Sequence, residues 1–344
     1  MAKRYSRQQF LTRLWNEISQ GKPLVMTGAG NGIAAKFIEQ GGVDILGVYN
    51  TGFFRMQGYG SLAGMLPMAD ANELVYPAAR REILPQVREV PVIAGVNGID
   101  VLRDMRLFLE DCSRLGFSGV HNFPTVSWFD GDFRRTLEGT GLGYQREIDM
   151  LNLAHELDML TIGYAFNRKD TEELMHPLGV AVEGELTSLP GVGGELSAAP
   201  EETDSDDPGL ARDFVQRTGI DAFAVNIGQA HLHGRNQVRL NLCRLAELRK
   251  RISVPLVLHG ATSISQSDLK EAIQLGVRKV NVGSILKRSY FEAVRRACST
   301  IGPEYNPYEV VGSGLEKDVL TAGRVALQKV VKELMKLLGS AGRA

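Results

Sequence analysis

The sequence predicts an α/β fold, a (β/α)8 barrel of the TIM-barrel type, forming a single domain over residues 1–344 with a C-terminal helical extension. Three observations indicate it. Short apolar, β-branched runs alternate with amphipathic helical patterns, as in parallel sheets whose two faces are both covered. Almost every run ends in Gly, Asn or His before a loop, where barrels carry functional residues. A chain of 344 residues with 44% hydrophobic content can also bury one large core.

Nine segments have the composition of strands, although a (β/α)8 barrel needs eight. We therefore expect residues 179–186 or a neighbouring segment to lie outside the barrel, unless one assignment is wrong. The nine segments are residues 23–30, 43–50, 90–98, 117–126, 159–167, 179–186, 221–228, 254–261 and 278–284.

Helical patterns lie between the strand segments and after the last one, with apolar residues three or four positions apart. The last pattern, at residues 325–344, ends at Gly339 with Lys336 in its final turn, as helix ends prefer. We expect this helix to pack on the barrel or on a second subunit. Five others cover residues 102–116, 146–159, 208–219, 237–252 and 266–276.

Residues 188–209 differ in composition from the rest of the chain. They are rich in Gly, Pro, Ser and acidic residues, and they are too long for an ordinary tight connection. Two interpretations are open: a functional loop such as a mobile lid over the site, or a solvated surface loop.

Charge and cysteine content argue against several classes of function. A net charge of −1 leaves no basic surplus, so a nucleic-acid or membrane partner is not indicated and a small-molecule substrate is favoured. Three separated cysteines, Cys112, Cys243 and Cys298, fit reduced thiols in a cytoplasmic protein better than a disulfide framework. No segment approaches the roughly 20 apolar residues of a membrane span, and no apolar run of signal-peptide length follows the N-terminus.

The stretch AVNIGQAHLHGR, residues 224–235, places His231 and His233 just after a short apolar run. Two histidines beside a glycine at a strand end suggest a metal site. A catalytic zinc takes three protein ligands and keeps one position open for water or substrate. The pair therefore needs a partner from another strand end.

The second part of the chain, from about residue 176 to the end, resembles the class II, metal-dependent fructose- and tagatose-bisphosphate aldolases. The resemblance rests on GVAVEGELTSLPGVGGE, DPGLARDFVQRTGIDAFAVNIGQAH, PLVLHGATSISQSDLKEAIQLGVRKVNVGS and the closing VVKELMKLLGSAGRA. It implies that His231 and His259 bind a catalytic zinc and that Glu185 is the glutamate at the metal. It also implies a phosphate site made of Gly260, Ala261, Thr262, Ser263, Asn281, Gly283 and Ser284.

The third strand departs from that family. Its members carry Asp-His-Gly at the end of this strand, where Asp transfers a proton and His is the third zinc ligand. Here PVIAGVNG puts Val96 and Asn97 at those positions. Val96 cannot move a proton, and Asn97 is a poor zinc ligand.

Both missing roles need substitutes. The third metal ligand is Glu185, His233 or His121, and we prefer Glu185 because it keeps the geometry of the family. The same ligands would also suit Mn²⁺ or Mg²⁺. The base comes from Glu183, from Asp100 just after the third strand, or from a residue of the 188–209 segment.

The first part, about residues 5–167, resembles the phosphoenolpyruvate hydrolase-like barrels, whose relatives by fold include phosphonopyruvate hydrolases and phosphoenolpyruvate mutases. The residues that carry this resemblance begin with LVMTGAGNGIAAKFIEQGGVDILGVYNTGFFRMQGYG and end with HELDMLTIGYAFN. The resemblance implies a fold more than a reaction. The chain thus divides into residues 1–167 and 176–344. Asn50 and Arg55 follow the second strand, and two roles are open for Arg55: contact with an anionic substrate, or a structural salt bridge.

Three functions are compatible with these patterns. The leading one is a cytoplasmic, homo-oligomeric, divalent-metal-dependent aldolase or lyase acting on an anionic phosphorylated or carboxylated molecule. Its metal polarises the carbonyl and stabilises the enediolate left when the carbon–carbon bond breaks. The second, a phosphonopyruvate- or phosphoenolpyruvate-type hydrolase or lyase, would depend on Asn50, Arg55 and Asp70. The third is a non-catalytic ligand-binding barrel, compatible with the missing Asp-His pair.

Overall fold

The computed structural model describes residues 2–175, 181–187, 205–229 and 238–341. In this part of the chain the strands pair in parallel and in sequence order, and the last pairs with the first to close a barrel. The strands are β1 (Leu24–Gly28), β2 (Ile45–Val48), β3 (Val92–Val96), β4 (Gly119–Asn122), β5 (Leu160–Gly163), β6 (Ala181–Glu185), β7 (Ala222–Ala224), β8 (Leu256–Leu258) and β9 (Val277–Asn281).

The TIM-barrel α/β fold is confirmed, but the expectation of eight strands is wrong. All nine strand segments enter the barrel, and β6, which was one of the candidates for a surplus segment, pairs with both β5 and β7. Periodicity identifies a buried strand but carries no information about how many strands close a ring, and this is why the count was missed.

Helices cover the outside of the barrel. Their caps follow the sequence: Ser6 and Gln9 form a capping box at the start of the first helix, and Gly219 ends the ninth in the left-handed conformation. The helices are α1 (Arg7–Ser19), α2 (Gly32–Gly41), α3 (Asn50–Met56), α4 (Ala71–Ala78), α5 (Met105–Leu115), α6 (Gly131–Gly139), α7 (Gln145–Glu156), α8 (Arg168–Met175), α9 (Pro208–Thr218), α10 (Leu242–Arg251), α11 (Gln266–Gln274), α12 (Ser284–Ser299), α13 (Pro307–Val310) and α14 (Val319–Leu337).

The six predicted helices are present, with ends shifted by several residues. The C-terminal helix α14 starts earlier than its apolar pattern and ends just before Gly339, which has a positive φ of 72°. It packs against α2 and α12, so the prediction that it packs on the barrel is confirmed. Of the segment at 188–209, residues 188–204 lie outside the described part of the chain, and Pro208 already begins α9.

Strand residues alternate between two packing environments. Val92, Ala94 and Val96 of β3 belong to the large core shared with the helices. Ile93 points the other way and packs in a second cluster against Phe10 of α1. The other members of this second cluster are Tyr5, Met26, Ile45 and Leu160. Helix α1 therefore covers the amino ends of the strands, and the carboxyl ends are left for the site.

Two further sequence predictions concern thiols and membranes. All three cysteines are free, with Cys112 buried and Cys243 and Cys298 exposed. None of the helices in the described ranges has the length and hydropathy needed to cross a bilayer.

Candidate active site at the carboxyl ends of the strands

Four polar side chains from β6, β8 and β9 meet inside the barrel. Val257 of β8 pairs with Lys279 of β9, and both side chains point into the barrel. His259 and Asn281 lie two residues further along, so they point the same way. The His259 Nε2 atom lies 2.8 Å from Oε1 of Glu183 and 3.0 Å from Nδ2 of Asn281. Lys279 donates from Nζ to Oε2 of Glu183 at 2.5 Å. We call these four residues the charged cluster.

Glu183 is the centre of the charged cluster. Burial raises the pKa of its carboxyl group, but the charge of Lys279 and the hydrogen bond to His259 outweigh burial and hold that pKa at about 2. The carboxylate is therefore ionised at neutral pH. Because so acidic a group takes up a proton weakly, Glu183 is better suited to orient His259 and Lys279 than to act as the general base.

Glu185 lies on the same face of β6, two residues beyond Glu183, and its pKa behaves in the opposite way. Burial raises the pKa of Glu185, the neighbouring charges of Glu183 and Asp206 raise it further, and His259 lowers it. Asp206 accepts hydrogen bonds from Asn226 N and Thr187 Oγ1, each at 2.7 Å, while burial raises its pKa to about 6. A second acidic region therefore adjoins the charged cluster.

Aromatic side chains occupy the facing side of the barrel interior. The ring of Tyr49 lies 4.4 Å from that of His121, centroid to centroid. Phe123 and Tyr164 pack edge-on against this pair. The hydroxyl oxygens of Tyr49 and Tyr164 are 3.4 Å apart. We call these four residues the aromatic cluster.

His121 is fully buried in the aromatic cluster, and neither of its ring nitrogens has a hydrogen-bond partner among the described residues. Burial lowers the pKa of His121 to about 3, so the imidazole is neutral at physiological pH. The sequence left His121 open as a third metal ligand. The structure places it among aromatic rings, away from the hydrogen bonds of His259.

Inward-facing glycines make room for these rings. A Cβ atom on Gly47 of β2 would lie 2.5 Å from Cε2 of Tyr49, and one on Gly95 of β3 would lie 2.9 Å from Cε1 of His121. Both distances are too short for any real Cβ contact. The glycines of β2 and β3 are therefore a condition for the aromatic cluster.

A buried network fixes the backbone of Tyr164. Asn122 accepts from Tyr164 N at 2.6 Å and donates to Tyr164 O at 2.9 Å, and Tyr144 Oη donates to the same carbonyl oxygen at 2.6 Å. Asn122 also donates to Glu147, whose other oxygen accepts from Val126 N at 2.7 Å. Burial raises the pKa of Glu147 to about 7, although these hydrogen bonds lower it.

The predicted phosphate residues adjoin the charged cluster. Gly260 has a positive φ of 65° and precedes a short 3-10 helix at Ala261–Ser263. The Oγ1 atom of Thr262 accepts from Ile285 N at 3.2 Å, which ties this turn to the first turn of α12. Gly283 and Ser284 form the start of α12. The positive end of the helix dipole at such a start attracts an anion.

The residues predicted from the first part of the chain lie on α3. Arg55 is half-buried, and its Nε and Nη2 donate to Ser61 Oγ at 2.9 and 2.6 Å. No carboxylate pairs with Arg55 in the described ranges. Asn50 is buried and donates from Nδ2 to Gly64 O at 2.8 Å, so it supports the loop that follows α3.

The end of β3 contributes nothing to the charged cluster. Val96 lies in the outer core, and the backbone of Asn97 is bound by the side chain of Asn72. Asp100 accepts from Arg103 Nη1 at 2.5 Å and from Asn72 Nδ2 at 2.9 Å. Burial raises the pKa of Asp100, but these bonds give a net lowering. Asp70 pairs with the same Arg103, so neither carboxylate is brought to His259.

His231 and His233 lie outside the described residues, so the metal hypothesis is judged on His259 and Glu185. No group of three His, Cys, Asp or Glu side chains suited to an ion occurs within the described ranges. The two present donors are an imidazole and a carboxylate, and both kinds bind divalent zinc. The Nδ1 atom of His259 is not used by Glu183 or Asn281, whose contacts are with Nε2. These donors fit a divalent ion in kind.

Comparison with known families follows the same division of the chain. The phosphoenolpyruvate hydrolase-like family matches residues 9–183, and the class II fructose-bisphosphate aldolase family matches residues 153–343. The chain belongs to both families. The two matches overlap over residues 153–183, which include β5 and the start of β6, and the predicted division is confirmed.

Two curated relatives come from tomato, Solanum lycopersicum. The ToMV resistance protein Tm-1 is 53% identical over 160 residues, which are 46% of this chain and 21% of the relative. The ToMV susceptible protein tm-1 is 54% identical over 156 residues, 45% of this chain and 21% of the relative. The chain thus spans about a fifth of the length of these relatives, as the 21% coverage shows.

Solved structures of aldolases share the fold of the whole chain. The YdjI aldolase from Escherichia coli K12 is 21% identical with a TM-score of 0.52 and covers 100% of both chains. A fructose-bisphosphate aldolase from Campylobacter jejuni is 14% identical with a TM-score of 0.55, covering 100% of this chain and 97% of its own. At these identities the likeness shows the fold alone.

Sequence reasoning missed three site residues. Lys279 was passed over because basic residues are usually solvent-exposed, although it alternates with Asn281 on one face of β9. Tyr49 and Tyr164 follow β2 and β5 directly, at positions where the alternation of each strand already predicted an inward side chain.

Proposed function

We propose that the chain is a divalent-metal-dependent lyase of the class II aldolase type, which makes or breaks a carbon–carbon bond in a phosphorylated or carboxylated small molecule. The observation that carries this proposal is the charged cluster at the carboxyl ends of β6, β8 and β9, where barrel enzymes hold their substrates. The membership of residues 153–343 in the class II aldolase family supports it.

The metal would be held by His259 and Glu185 together with His231. When bound, such an ion acts as a Lewis acid toward the substrate carbonyl. Zn²⁺ is the first choice for a set of two histidines and a glutamate, with Mn²⁺ or Mg²⁺ as alternatives.

Each remaining residue has a role that follows from its contacts. Glu183 accepts from His259 and so fixes the orientation of the imidazole ring. Lys279 balances the charge of Glu183 and keeps it ionised. Asn281 has a buried Oδ1 atom without a partner among the described residues, which can accept from a substrate hydroxyl.

The anionic group of the substrate would sit where the turn at Gly260–Ser263 meets the start of α12. Backbone N–H groups at a helix start favour negative charge. The tie between Thr262 and Ile285 holds the two parts of this turn together.

The metal and the reaction can be tested together. Purified protein would be analysed for bound metal, and cleavage would be assayed with fructose 1,6-bisphosphate, tagatose 1,6-bisphosphate and a panel of 2-keto acids. We expect about one divalent ion per chain, lost in His259→Ala together with the cleavage rate. The matched control is His155→Ala on α7, which should retain both. Full metal content and activity in His259→Ala would contradict the proposal.

A second candidate, a phosphoenolpyruvate-type hydrolase or lyase, is favoured by Arg55, whose side-chain nitrogens contact only Ser61 in the described ranges. The same panel separates the two, because Arg55→Ala would then abolish turnover of the 2-keto acids while His259→Ala would not. No turnover of any compound by the native protein would favour the non-catalytic barrel. The cytoplasmic location and the homo-oligomer stay predictions.

A further inference from the structure

The aromatic cluster brings two hydroxyl groups to the barrel interior that the proposed reaction has not yet used. Tyr49 Oη and Tyr164 Oη lie 3.4 Å apart, and either can donate to the other. Both side chains are half-buried and directly follow β2 and β5, at the end of the barrel where the proposed substrate binds.

Cleavage of a carbon–carbon bond next to a hydroxyl group requires a residue that exchanges the hydroxyl proton. Val96 stands where the aldolase family has its proton-transfer Asp, and it is buried in the outer core. Asp100 is bound to Arg103 and Asn72. Glu183 is held as a carboxylate of very low basicity by Lys279 and His259. None of these three groups is placed to serve.

The tyrosine pair is held in position from both sides. The ring of Tyr49 packs on His121 and Phe123, in the space left by Gly47. The backbone of Tyr164 is fixed by two hydrogen bonds with Asn122 and one from Tyr144. Preorganised hydroxyl groups of this kind donate protons without a cost of reorganisation at the moment of reaction.

We propose that Tyr49 and Tyr164 form the proton-transfer pair of the reaction, in the role that the Asp of the third strand has in the aldolase family. This inference rests on the proposed lyase function. It joins residues of the two families in one site. Tyr49 lies in the part matched by the first family alone, Tyr164 lies in the overlap of the two matches, and His259 and Lys279 lie in the part matched by the second family alone.

The tyrosine pair can transfer the proton in both directions of the reaction. In bond formation the electron pair of the ketone-derived enolate forms the new carbon–carbon bond, and the carbonyl π electrons of the aldehyde move to its oxygen. That oxygen takes the proton of one tyrosine hydroxyl, the other tyrosine donates a hydrogen bond to the resulting phenolate, and water restores the proton. In cleavage the steps run in reverse: water takes the proton of one tyrosine hydroxyl, the resulting phenolate takes the hydroxyl proton of the substrate, the O–H electrons form the carbonyl, and the C–C electrons return to the enolate.

The electrostatic surroundings favour the protonated, donating form. Burial raises the pKa of both phenols, and the charge of Glu183 raises them further. Arg55 lowers the pKa of Tyr49, and the adjacent His121 is neutral because burial lowers its own pKa. Both phenols are therefore protonated at neutral pH, in the form that can donate to the developing alkoxide oxygen.

The test separates two halves of the reaction in the full-length protein. One assay follows cleavage of fructose 1,6-bisphosphate, and the other follows exchange of the carbon-bound hydrogen of dihydroxyacetone phosphate with solvent, which needs no aldehyde proton. We expect Tyr49→Phe and Tyr164→Phe to lower kcat for cleavage about 100-fold with KM unchanged. The exchange rate should stay at the native value. Tyr308→Phe is the control, since that side chain is 87% exposed.

Each outcome decides the inference. Loss of cleavage with retained exchange supports the tyrosine pair, because a general packing defect would lower both rates. Native cleavage in both variants, or loss of exchange together with cleavage, overturns it while leaving the lyase function in place. A native protein that performs neither reaction overturns the proposed function and the tyrosine pair with it.

Discussion

The two sides of the barrel interior differ in how they accommodate buried polar side chains. On the side of β6, β8 and β9, the buried carboxylate of Glu183 is paired with Lys279 and hydrogen-bonded to His259. On the side of β2 to β5, His121 is kept neutral among aromatic rings and its nitrogens have no partner in the described ranges. Ionised groups in an interior need partners, whereas a neutral imidazole tolerates their absence at a modest cost. The first side therefore accommodates ionised groups, and the second accommodates neutral, closely packed rings.

The nine-stranded ring helps both sides to coexist. The diameter of a closed barrel grows with the number of strands, so a ninth strand widens the interior. Small residues widen it further on the aromatic side, where Gly47 and Gly95 stand opposite the rings of Tyr49 and His121. The overlap of the two family matches at residues 153–183 coincides with β5 and β6, which lie at the junction of the two sides.

The largest effect is expected from breaking the charged cluster. Lys279→Met leaves the carboxylate of Glu183, whose side chain is 16% exposed, without its cation. We expect the free energy of unfolding to fall by about 3–5 kcal/mol, measured by urea denaturation. Lys317→Met is the control, since its pair with Glu309 is 76% and 48% exposed, and it should cost less than about 1 kcal/mol. Equal losses in the two variants would show that Glu183 is effectively solvated.

A smaller effect is expected from filling the space beneath Tyr49. Gly47→Ala adds a Cβ atom 2.5 Å from Cε2 of that ring, and such overpacking costs about 1–3 kcal/mol. Gly139→Ala at the end of α6 is the control, because an added Cβ there meets no atom within 4 Å. Thermal unfolding of both variants measures the difference. If the two melting temperatures changed alike, Tyr49 would not be confined as described.

The smallest effect is expected at His121. Replacement by Leu removes two nitrogens without partners, a gain, and the ring contacts with Tyr49, a loss of comparable size. We therefore expect His121→Leu to change the free energy of unfolding by less than about 1 kcal/mol, in contrast with Lys279→Met. A loss of several kcal/mol in the same urea experiment would mean that the imidazole has a bound partner and that the two sides are more alike than described.

Much of the fold could be predicted from the sequence. Alternation of β-branched runs with amphipathic patterns identified every strand segment and the helices α5, α7, α9, α10 and α11, because both signals depend on residues close together in the chain. The strand count failed because barrel closure depends on the pairing of β1 with β9, a contact between distant segments that leaves no local pattern.

Only some of the site residues could be predicted from the sequence. His259, Glu183 and Asn281 were identified by motifs and are brought together. Lys279 was missed because its solvation depends on the position of Glu183, on a different strand. Asp100 was a candidate by its place in the chain, but Arg103 and Asn72 hold it elsewhere. Residue type and spacing predict which side chains face inward, while their partners are fixed only by the closed barrel.

The pairing that closes the barrel also constrains how the chain reaches it. During synthesis β1 is made before the other strands of this barrel, and one of its edges is covered by β9 in the finished ring, with Val25 opposite Val280. Until β9 leaves the ribosome, the nascent protein carries an open, apolar sheet edge of the kind that pairs with other chains. A dependence on chaperones during translation, and misassembly of chains cut short before β9, would follow from the same closure that brings Tyr49 and His259 into one interior.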